Sequence, residues 1–246
     1  MDTLQKFTVN LACGVIRGDR ILSDCSRADL LFLHGAGAAN RARFQGIRTR
    51  LSEKYRISST AFDYLGHGDS TENALPDSLR SRTEQAREVI ERIHQTERLS
   101  LAASSMSAYT ALKLTEKYQV ADLILLVPAV YHRDAYLIPF GSGFSRIIRH
   151  DSSWVNSDAW SIMEAYTGNL LIIAAEHDEV IPREVIGYLY AFACNAKSRK
   201  IYFMPGAPHR ILEFIMRKPD RLKYITDEMN QIIFGGEDGE SQKKIL

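Results

Sequence analysis

Short, largely apolar runs alternate along the chain with longer stretches in which apolar residues recur at helical spacing. Such runs are typical of strands buried on both faces of a sheet, whereas the helical spacing predicts amphipathic helices. The runs are Leu30–Leu33, Ile57–Phe62, Leu99–Ala103, Leu123–Val127, Leu170–Ala175 and Lys200–Met204. The helical stretches are Asn40–Lys54, Leu79–Arg98, Met106–Leu114, Ile186–Cys194 and Ile211–Phe234. This alternation predicts an α/β fold with a mostly parallel central sheet and helices on both faces.

The two ends of the chain follow different patterns. Lys6–Leu11 alternates apolar and polar residues, and Gly14–Leu22 can return beside it. This pair predicts an antiparallel hairpin added to one edge of the sheet. Residues 235–246 are polar and rich in charge, which predicts a disordered tail.

A segment without a strand pattern, residues 131–168, divides the predicted core into residues 1–130 and 169–234. The segment is rich in aromatic residues. One interpretation is a short, mobile lid whose aromatic side chains form an apolar substrate pocket and exclude water. In that case we expect Phe144 and Trp154 to bind substrate. The other interpretation is a packed helical insertion with no role in substrate binding.

Composition narrows the class of protein. A chain of 246 residues with 45% hydrophobic residues can form one α/β domain, and its formal charge of +1 does not favour nucleic acid or an anionic membrane as a partner. No run is long and apolar enough to span a membrane, and the first residues do not resemble a signal peptide. Three scattered cysteines predict free thiols in the cytoplasm. The histidines lack the spacing of a metal site, so no metal is expected.

The stretch Leu99–Leu114 runs from an apolar strand into a helix through four residues, Ser104, Ser105, Met106 and Ser107, without glycine or proline. A serine at such a turn is typical of a nucleophile elbow, which exposes the hydroxyl above the sheet edge. The alternative is a polar connection with a serine that caps the helix. Ser104 precedes the turn and Ser107 lies in the first helical turn, so Ser105 is the predicted nucleophile.

Two further polar residues follow predicted strands, Asp178 after NLLIIAAEH and His209 after IYFMPGAP. In open α/β sheets, sites form beyond the carboxyl ends of the strands, so both can approach Ser105. A serine nucleophile needs a base to accept its proton, and the base needs a carboxylate to orient it. The order Ser, Asp, His is the one expected of α/β-hydrolases.

Each member of this set has an alternative role. Asp178 can cap the helix that begins near Pro182, and His209 can simply begin the last helix. Asp134, in the insertion, is the rival acid, although it can also be solvated or paired with Arg133. His34 is more simply interpreted as an anchor for its loop than as the base.

The chain resembles α/β-hydrolases of the lid-bearing esterase and lipase type from about Leu30 to about Ile215. The segments that carry the resemblance are LLFLHGAG, AFDYLGHGDS, LAASSMSAYTAL, LLIIAAEHDEVIP and MPGAPH. The resemblance implies the α/β-hydrolase fold, with Ser105 as nucleophile, Asp178 as acid and His209 as base. It also implies an oxyanion hole formed by the backbone N–H groups of Ala36 and Met106.

The elbow departs from the usual G-x-S-x-G motif, because Ala103 and Ser107 stand in place of the two glycines. We expect this change to affect catalytic efficiency more than the fold. Tyr64, near a strand end, is a further candidate to line the substrate pocket, although most such tyrosines are packing residues.

The sequence therefore predicts a cytoplasmic serine esterase that cleaves a carboxylic ester, a thioester or an amide of a small to medium molecule, without a cofactor. Other hydrolases of this fold cleave peptides, macrolide esters or carbon–carbon bonds, so the predicted substrate class rests on analogy of fold alone. The alternative from another class is a binding or sensing protein that retains the fold and turns over little. The sequence does not indicate an oligomeric state.

Overall fold

The computed structural model describes residues 3–72, 77–94 and 97–235. Its strands are β1 (Thr3–Leu11), β2 (Gly14–Leu22), β3 (Ala28–Leu33), β4 (Ile57–Asp63), β5 (Thr71–Glu72), β6 (Leu99–Ser104), β7 (Val120–Leu126), β8 (Asn169–His177) and β9 (Ser198–Pro208). Its α-helices are α1 (Gln45–Tyr55), α2 (Leu79–Arg92), α3 (Ser107–Thr115), α4 (Ser142–Ile148), α5 (Ala159–Ala165), α6 (Arg183–Phe192), α7 (Ile211–Met216) and α8 (Pro219–Phe234).

The strands form one sheet in the order β1-β2-β4-β3-β6-β7-β8-β9, and β5 pairs with β2. β1 and β2 form an antiparallel hairpin, and β2 is also antiparallel to β4. β5 is antiparallel to β2 as well, whereas the pairs β4–β3, β3–β6, β6–β7, β7–β8 and β8–β9 are parallel. The prediction of a mostly parallel sheet with an added edge hairpin is confirmed.

Apolar side chains cover both faces of this sheet. One cluster joins the sheet to α2, α3, α5 and α6, and the other joins it to α1, α7 and α8. Leu30, Phe32, Leu101 and Ile124, on the central strands, are fully buried. Burial on both faces explains why these strands read as nearly continuous apolar runs.

Two helices differ from the predicted bounds. The helix predicted over Leu79–Arg98 ends at Arg92, and His94 then lies buried with its Nδ1 atom 3.0 Å from the Thr60 hydroxyl. The helix predicted over Ile211–Phe234 is two helices, α7 and α8. Lys218 precedes Pro219 and has an extended backbone, since the proline ring disfavours the helical conformation at the preceding residue.

The insertion, residues 131–168, contains α4, α5 and two short 3₁₀ turns, Arg133–Leu137 and Ser153–Asn156. Its aromatic rings pack against one another and against α3 and α6. Within the described ranges, no helix is long and apolar enough to cross a membrane. The tail from residue 236 lies outside the described residues, so its predicted disorder stays a prediction.

Candidate active site

The site is organised around the turn between β6 and α3. Ser105 occupies this turn with a φ angle of +52°, the left-handed region that a residue with a side chain rarely adopts. Its N–H donates to the Leu126 carbonyl at 2.9 Å, and its own carbonyl accepts from the N–H groups of Ala108 and Ala129. These bonds hold a strained conformation that is stable only when its surroundings fix it. The turn has the geometry of a nucleophile elbow.

Three strand ends bring the predicted Ser, Asp and His together. The Ser105 hydroxyl lies 3.1 Å from His209 Nε2. On the other side of the ring, His209 Nδ1 lies 3.0 and 2.9 Å from the two carboxylate oxygens of Asp178. The carboxylate can only accept when ionised, so Nδ1 carries the proton and Nε2 is free to accept one from the serine.

The Asp178 carboxylate is held in its ionised form. Burial alone would raise the pKa of Asp178, but hydrogen bonds from His209 and from the backbone N–H groups of Ile181 and Val180 outweigh it and lower that pKa below 3.8. Both N–H groups donate to the same oxygen at 2.9 Å. Asp178 therefore caps the following turn and orients His209, and the two roles do not compete.

The rival residues make other contacts. Asp134 is 73% exposed, and its carboxylate is 3.6 Å from His132, whose Nδ1 also accepts the Asp134 N–H. His34 is buried. Its Nδ1 donates to the Gly35 carbonyl at 2.9 Å and its Nε2 accepts from the Tyr64 N–H at 3.1 Å, so it anchors its loop as the sequence predicted.

The loop after β3 approaches the serine closely. A Cβ atom added to Gly35 would lie 3.2 Å from the Ser104 carbonyl oxygen and 3.3 Å from the Ser105 Cβ, so only glycine fits without a shift. Ala36, the next residue, lines the same cleft as Ser105. Met106 lies at the N-terminus of α3, where helical N–H groups and the helix dipole favour negative charge. Ala36 thus lines the cleft and Met106 directly follows Ser105, and binding of an oxyanion by their N–H groups stays a prediction.

The two residues that replace the usual glycines of the elbow have different surroundings. Ala103 is fully buried on β6. The Ser107 hydroxyl donates to the His34 carbonyl and lies 3.3 Å from the Tyr64 hydroxyl oxygen. In place of the usual glycine, Ser107 thus joins the helix of the elbow to the loop that bears Ala36.

A cleft of 420 Å³ opens beside Ser105. Its lining is apolar at Val127, Tyr131 and Val180 and charged at Arg43, Arg210 and Glu213. The Glu213 carboxylate lies 3.5 Å from Arg43 and 3.7 Å from Arg210, which leaves one positive charge in excess among these three side chains.

The three predicted substrate contacts do not line this cleft. Tyr64 is fully buried, and Phe144, with 4% of its surface exposed, packs against other rings of the insertion. Trp154 packs against Trp160 and Tyr188. Among the described residues, Tyr131 is the member of the insertion that lines the cleft, and a role of the other three in substrate binding stays a prediction. The spacing of the aromatic residues did not reveal which of them faces the serine.

Two residues at the site were missed. Val127 has a φ angle of +43° and lines the cleft, and no sequence pattern indicates such a conformation for a β-branched residue. Arg82 is 2% exposed and contacts the Gly35 carbonyl. Here a signal existed, because Arg82 lies on the apolar stripe of α2 between Leu79 and Ala86.

A comparison with models of protein families found no match, and a comparison with curated protein sequences found none either. Solved structures are similar over almost the whole chain. A predicted CIB-like hydrolase from Thermoplasma acidophilum superposes with a TM-score of 0.69 at 16% identity and covers 94% of this chain and 100% of its own.

Two further solved structures are also similar to this chain over more than nine tenths of its length. A thermophilic esterase from Thermogutta terrifontis gives a TM-score of 0.67 at 14% identity, covering 94% of this chain and 99% of its own. The thioesterase domain from the curacin biosynthetic pathway gives a TM-score of 0.64 at 13% identity, covering 92% of this chain and 98% of its own. At this identity the likeness concerns the fold. Together with the order of the strands, it shows that the chain has the α/β-hydrolase fold.

Proposed function

We propose that the protein is a serine hydrolase that cleaves a carboxylic ester, with thioesters and amides as chemically related substrates, through an acyl-enzyme on Ser105. The observation that carries the proposal is the continuous set of contacts from Ser105 through His209 to Asp178 at the elbow. A serine hydroxyl is a weak nucleophile without an adjacent base, and this geometry supplies one.

In the first half of the reaction, His209 Nε2 accepts the proton of the Ser105 hydroxyl as its oxygen attacks the substrate carbonyl carbon. The carbonyl oxygen becomes an oxyanion, which accepts hydrogen bonds from the N–H groups of Ala36 and Met106. Asp178 stabilises the imidazolium that forms. His209 then gives the proton to the leaving alcohol, and the bond to the alcohol oxygen breaks.

In the second half, a water molecule replaces the alcohol. His209 accepts a proton from the water, and the resulting hydroxide attacks the acyl carbon. The second oxyanion collapses, the proton returns to the Ser105 oxygen, and a carboxylic acid leaves. None of these steps uses a metal or an organic cofactor.

The size of the cleft supports a small to medium substrate. The esterase and thioesterase functions named for the similar structures belong to those proteins, and they support the reaction class here only by analogy of fold. Free Cys13, Cys25 and Cys194 fit a reducing compartment, so the cytoplasm is our proposed location.

The test is a panel of p-nitrophenyl esters with increasing acyl chain length. We expect the wild type to release nitrophenol and, with a slowly deacylating ester, to gain the mass of one acyl group. Ser105→Ala should lose both signals, whereas Ser161→Ala, at an exposed serine of α5, should retain them. A folded wild type that neither turns over nor gains mass with any ester would favour the binding-protein alternative.

A further inference from the structure

An arginine lies almost completely buried behind the loop that bears Ala36. Arg82 projects from the apolar face of α2 with 2% of its side chain exposed. Its Nε is 2.9 Å from the Asp77 carboxylate, and one terminal nitrogen is 3.0 Å from His67 Nε2. The other terminal nitrogen is 3.3 Å from the Gly35 carbonyl oxygen. Each of the three guanidinium nitrogen atoms thus has a polar partner.

The Gly35 carbonyl receives two donors. Besides Arg82, it accepts from His34 Nδ1 at 2.9 Å. The tautomer is fixed because His34 Nε2 accepts the Tyr64 N–H. Burial lowers the pKa of His34 to about 3, so His34 is neutral and Arg82 is the charged donor.

The same peptide group carries the N–H of Ala36. In a planar trans peptide the C=O and N–H bonds point in opposite directions. Two donors that hold the Gly35 oxygen on the buried side therefore direct the Ala36 N–H to the other side, where Ala36 and Ser105 line one cleft. A charged donor on the oxygen also polarises the amide and makes its N–H a stronger donor.

We propose, on the basis that the chain is a serine hydrolase, that Arg82 is a positioning residue for the oxyanion hole. Its guanidinium holds and polarises the Gly35–Ala36 peptide so that the Ala36 N–H binds the oxyanion in the transition state. Arg82 does not touch the substrate. Arg82 affects the reaction through the Gly35–Ala36 peptide group.

The insertion is connected to this arginine as well. The guanidinium lies between two rings, 4.9 Å from the centre of the Tyr64 ring and 5.1 Å from that of Phe140. The Phe140 N–H donates to the Asp77 carbonyl at 2.8 Å. Phe140 belongs to the insertion, so the packing of the insertion on the core contributes to the position of Arg82.

The simpler role is structural, with Arg82 and Asp77 only joining α2 to the preceding loop. That role needs the ion pair alone and does not require the contact with Gly35. The two roles differ in what they predict for kinetics. A structural anchor changes stability or substrate binding, whereas a positioning residue changes the affinity for the transition state.

The test compares Arg82→Met, Arg82→Gln and Arg82→Lys with Arg80→Met, a control at an exposed arginine of the same helix. Each variant is assayed for kcat and KM with one ester and for inhibition by a trifluoromethyl ketone. In the inhibited form the Ser105 oxygen bonds to the ketone carbon, its proton passes to His209, and the ketone oxygen becomes the oxyanion. The inhibitor thus measures the oxyanion hole directly.

We expect Arg82→Met and Arg82→Gln to lower kcat by about 10- to 100-fold with little change in KM, less than the loss of a whole oxyanion donor. The inhibition constant should rise by the same factor. Arg82→Lys retains a buried charge, so its kcat and its inhibition constant should lie between those of Arg82→Met and the wild type. Arg80→Met should match the wild type in both quantities.

A folded Arg82→Met or Arg82→Gln with kcat within two-fold of the wild type would overturn the proposal, as would a loss that appears in KM without a change in the inhibition constant. If the methionine variant does not fold, the glutamine variant decides, because it keeps a hydrogen-bonding side chain in the cavity. A wild type without esterase activity would instead overturn the proposed function, so the two failures are distinguishable.

Discussion

At the scale of single residues, the candidate site depends on a few side chains that are held from several directions at once. Asp178 accepts two backbone N–H groups and contacts His209 with both oxygens. Its lowered pKa means that it is ionised throughout the neutral range. An ionised carboxylate fixes the proton on His209 Nδ1, which leaves Nε2 free to accept a proton from the Ser105 hydroxyl, as the proposed mechanism requires.

Asp178→Asn should therefore lower kcat by about 10⁴-fold, because an amide that donates to Nδ1 stabilises the wrong tautomer of the ring. Asp134→Asn is the matched control, since this exposed carboxylate contacts His132 and not His209. The kcat of Asp134→Asn should stay within a few-fold of the wild-type value. If Asp134→Asn were the inactivating change, the acid would be wrongly assigned.

Ser107→Ala should destabilise the protein by roughly 1–2 kcal/mol, because the buried His34 carbonyl loses a hydrogen-bond donor. Urea denaturation at pH 7 measures the change in the free energy of unfolding. Ser161→Ala, at an exposed position, should change it by less than ~0.5 kcal/mol. Equal stabilities for Ser107→Ala and the wild type would show that the serine is only a small-residue substitute for glycine.

At the scale of elements, β8 and β9 position two of the three proposed catalytic residues. β8 ends at His177, immediately before Asp178, and β9 ends at Pro208, immediately before His209. The two strands are paired through most of their length, with an irregularity between Ala175 and His177. The Gly206 N–H donates to the Glu176 carboxylate at 2.8 Å, which ties the ends of these strands together beside the site.

The insertion meets the cleft at its first residue, Tyr131. We expect Tyr131→Ala to change the preference between short and long acyl chains, because it enlarges the apolar side of the cleft. The shift should be graded, about 1–3 kcal/mol in the ratio of kcat/KM values. Trp154→Ala is the control, since Trp154 contacts Trp160 and Tyr188 and does not line the cleft. The prediction fails if Trp154→Ala shifts the preference and Tyr131→Ala does not.

At the scale of the whole molecule, buried polar groups make stability depend on pH. His34 is 1% exposed, and burial lowers its pKa to about 3. The unfolded chain binds this proton near its ordinary value of ~6.5, so acidification favours the unfolded state from that pH down to about pH 3. Burial also lowers the pKa of His94, which acts in the same direction.

The free energy of unfolding should thus fall between pH 7 and pH 5, with roughly 2 kcal/mol of the loss due to His34. His34→Gln should reduce this pH dependence even if it lowers stability at pH 7. His150→Gln, at an exposed histidine, should leave it unchanged. The explanation is wrong if the free energy of unfolding falls by the same amount between pH 7 and pH 5 in His34→Gln and in the wild type.

The sequence predicts the central sheet more completely than the pocket beside it. The strands and the parallel sheet follow from local patterns, and the sheet then brings the residues after β6, β8 and β9 to one edge. The pocket depends instead on how the insertion packs, which periodicity does not encode. Phe144 and Trp154 therefore pack among other rings, whereas the burial of Arg82 could be expected from its position on the apolar stripe of α2.

The most direct test of the central claim, that Ser105 is an activated nucleophile, is labelling with a fluorophosphonate followed by mapping of the adduct mass. The Ser105 oxygen attacks phosphorus, fluoride leaves, and His209 takes the serine proton, while the phosphonyl oxygen occupies the oxyanion hole. We predict one adduct on Ser105, none in Ser105→Ala and almost none in His209→Ala, with Ser104→Ala and Ser107→Ala still labelled. An adduct on Ser104 or Ser107 in the wild type, or no adduct at any serine of the folded protein, would contradict it.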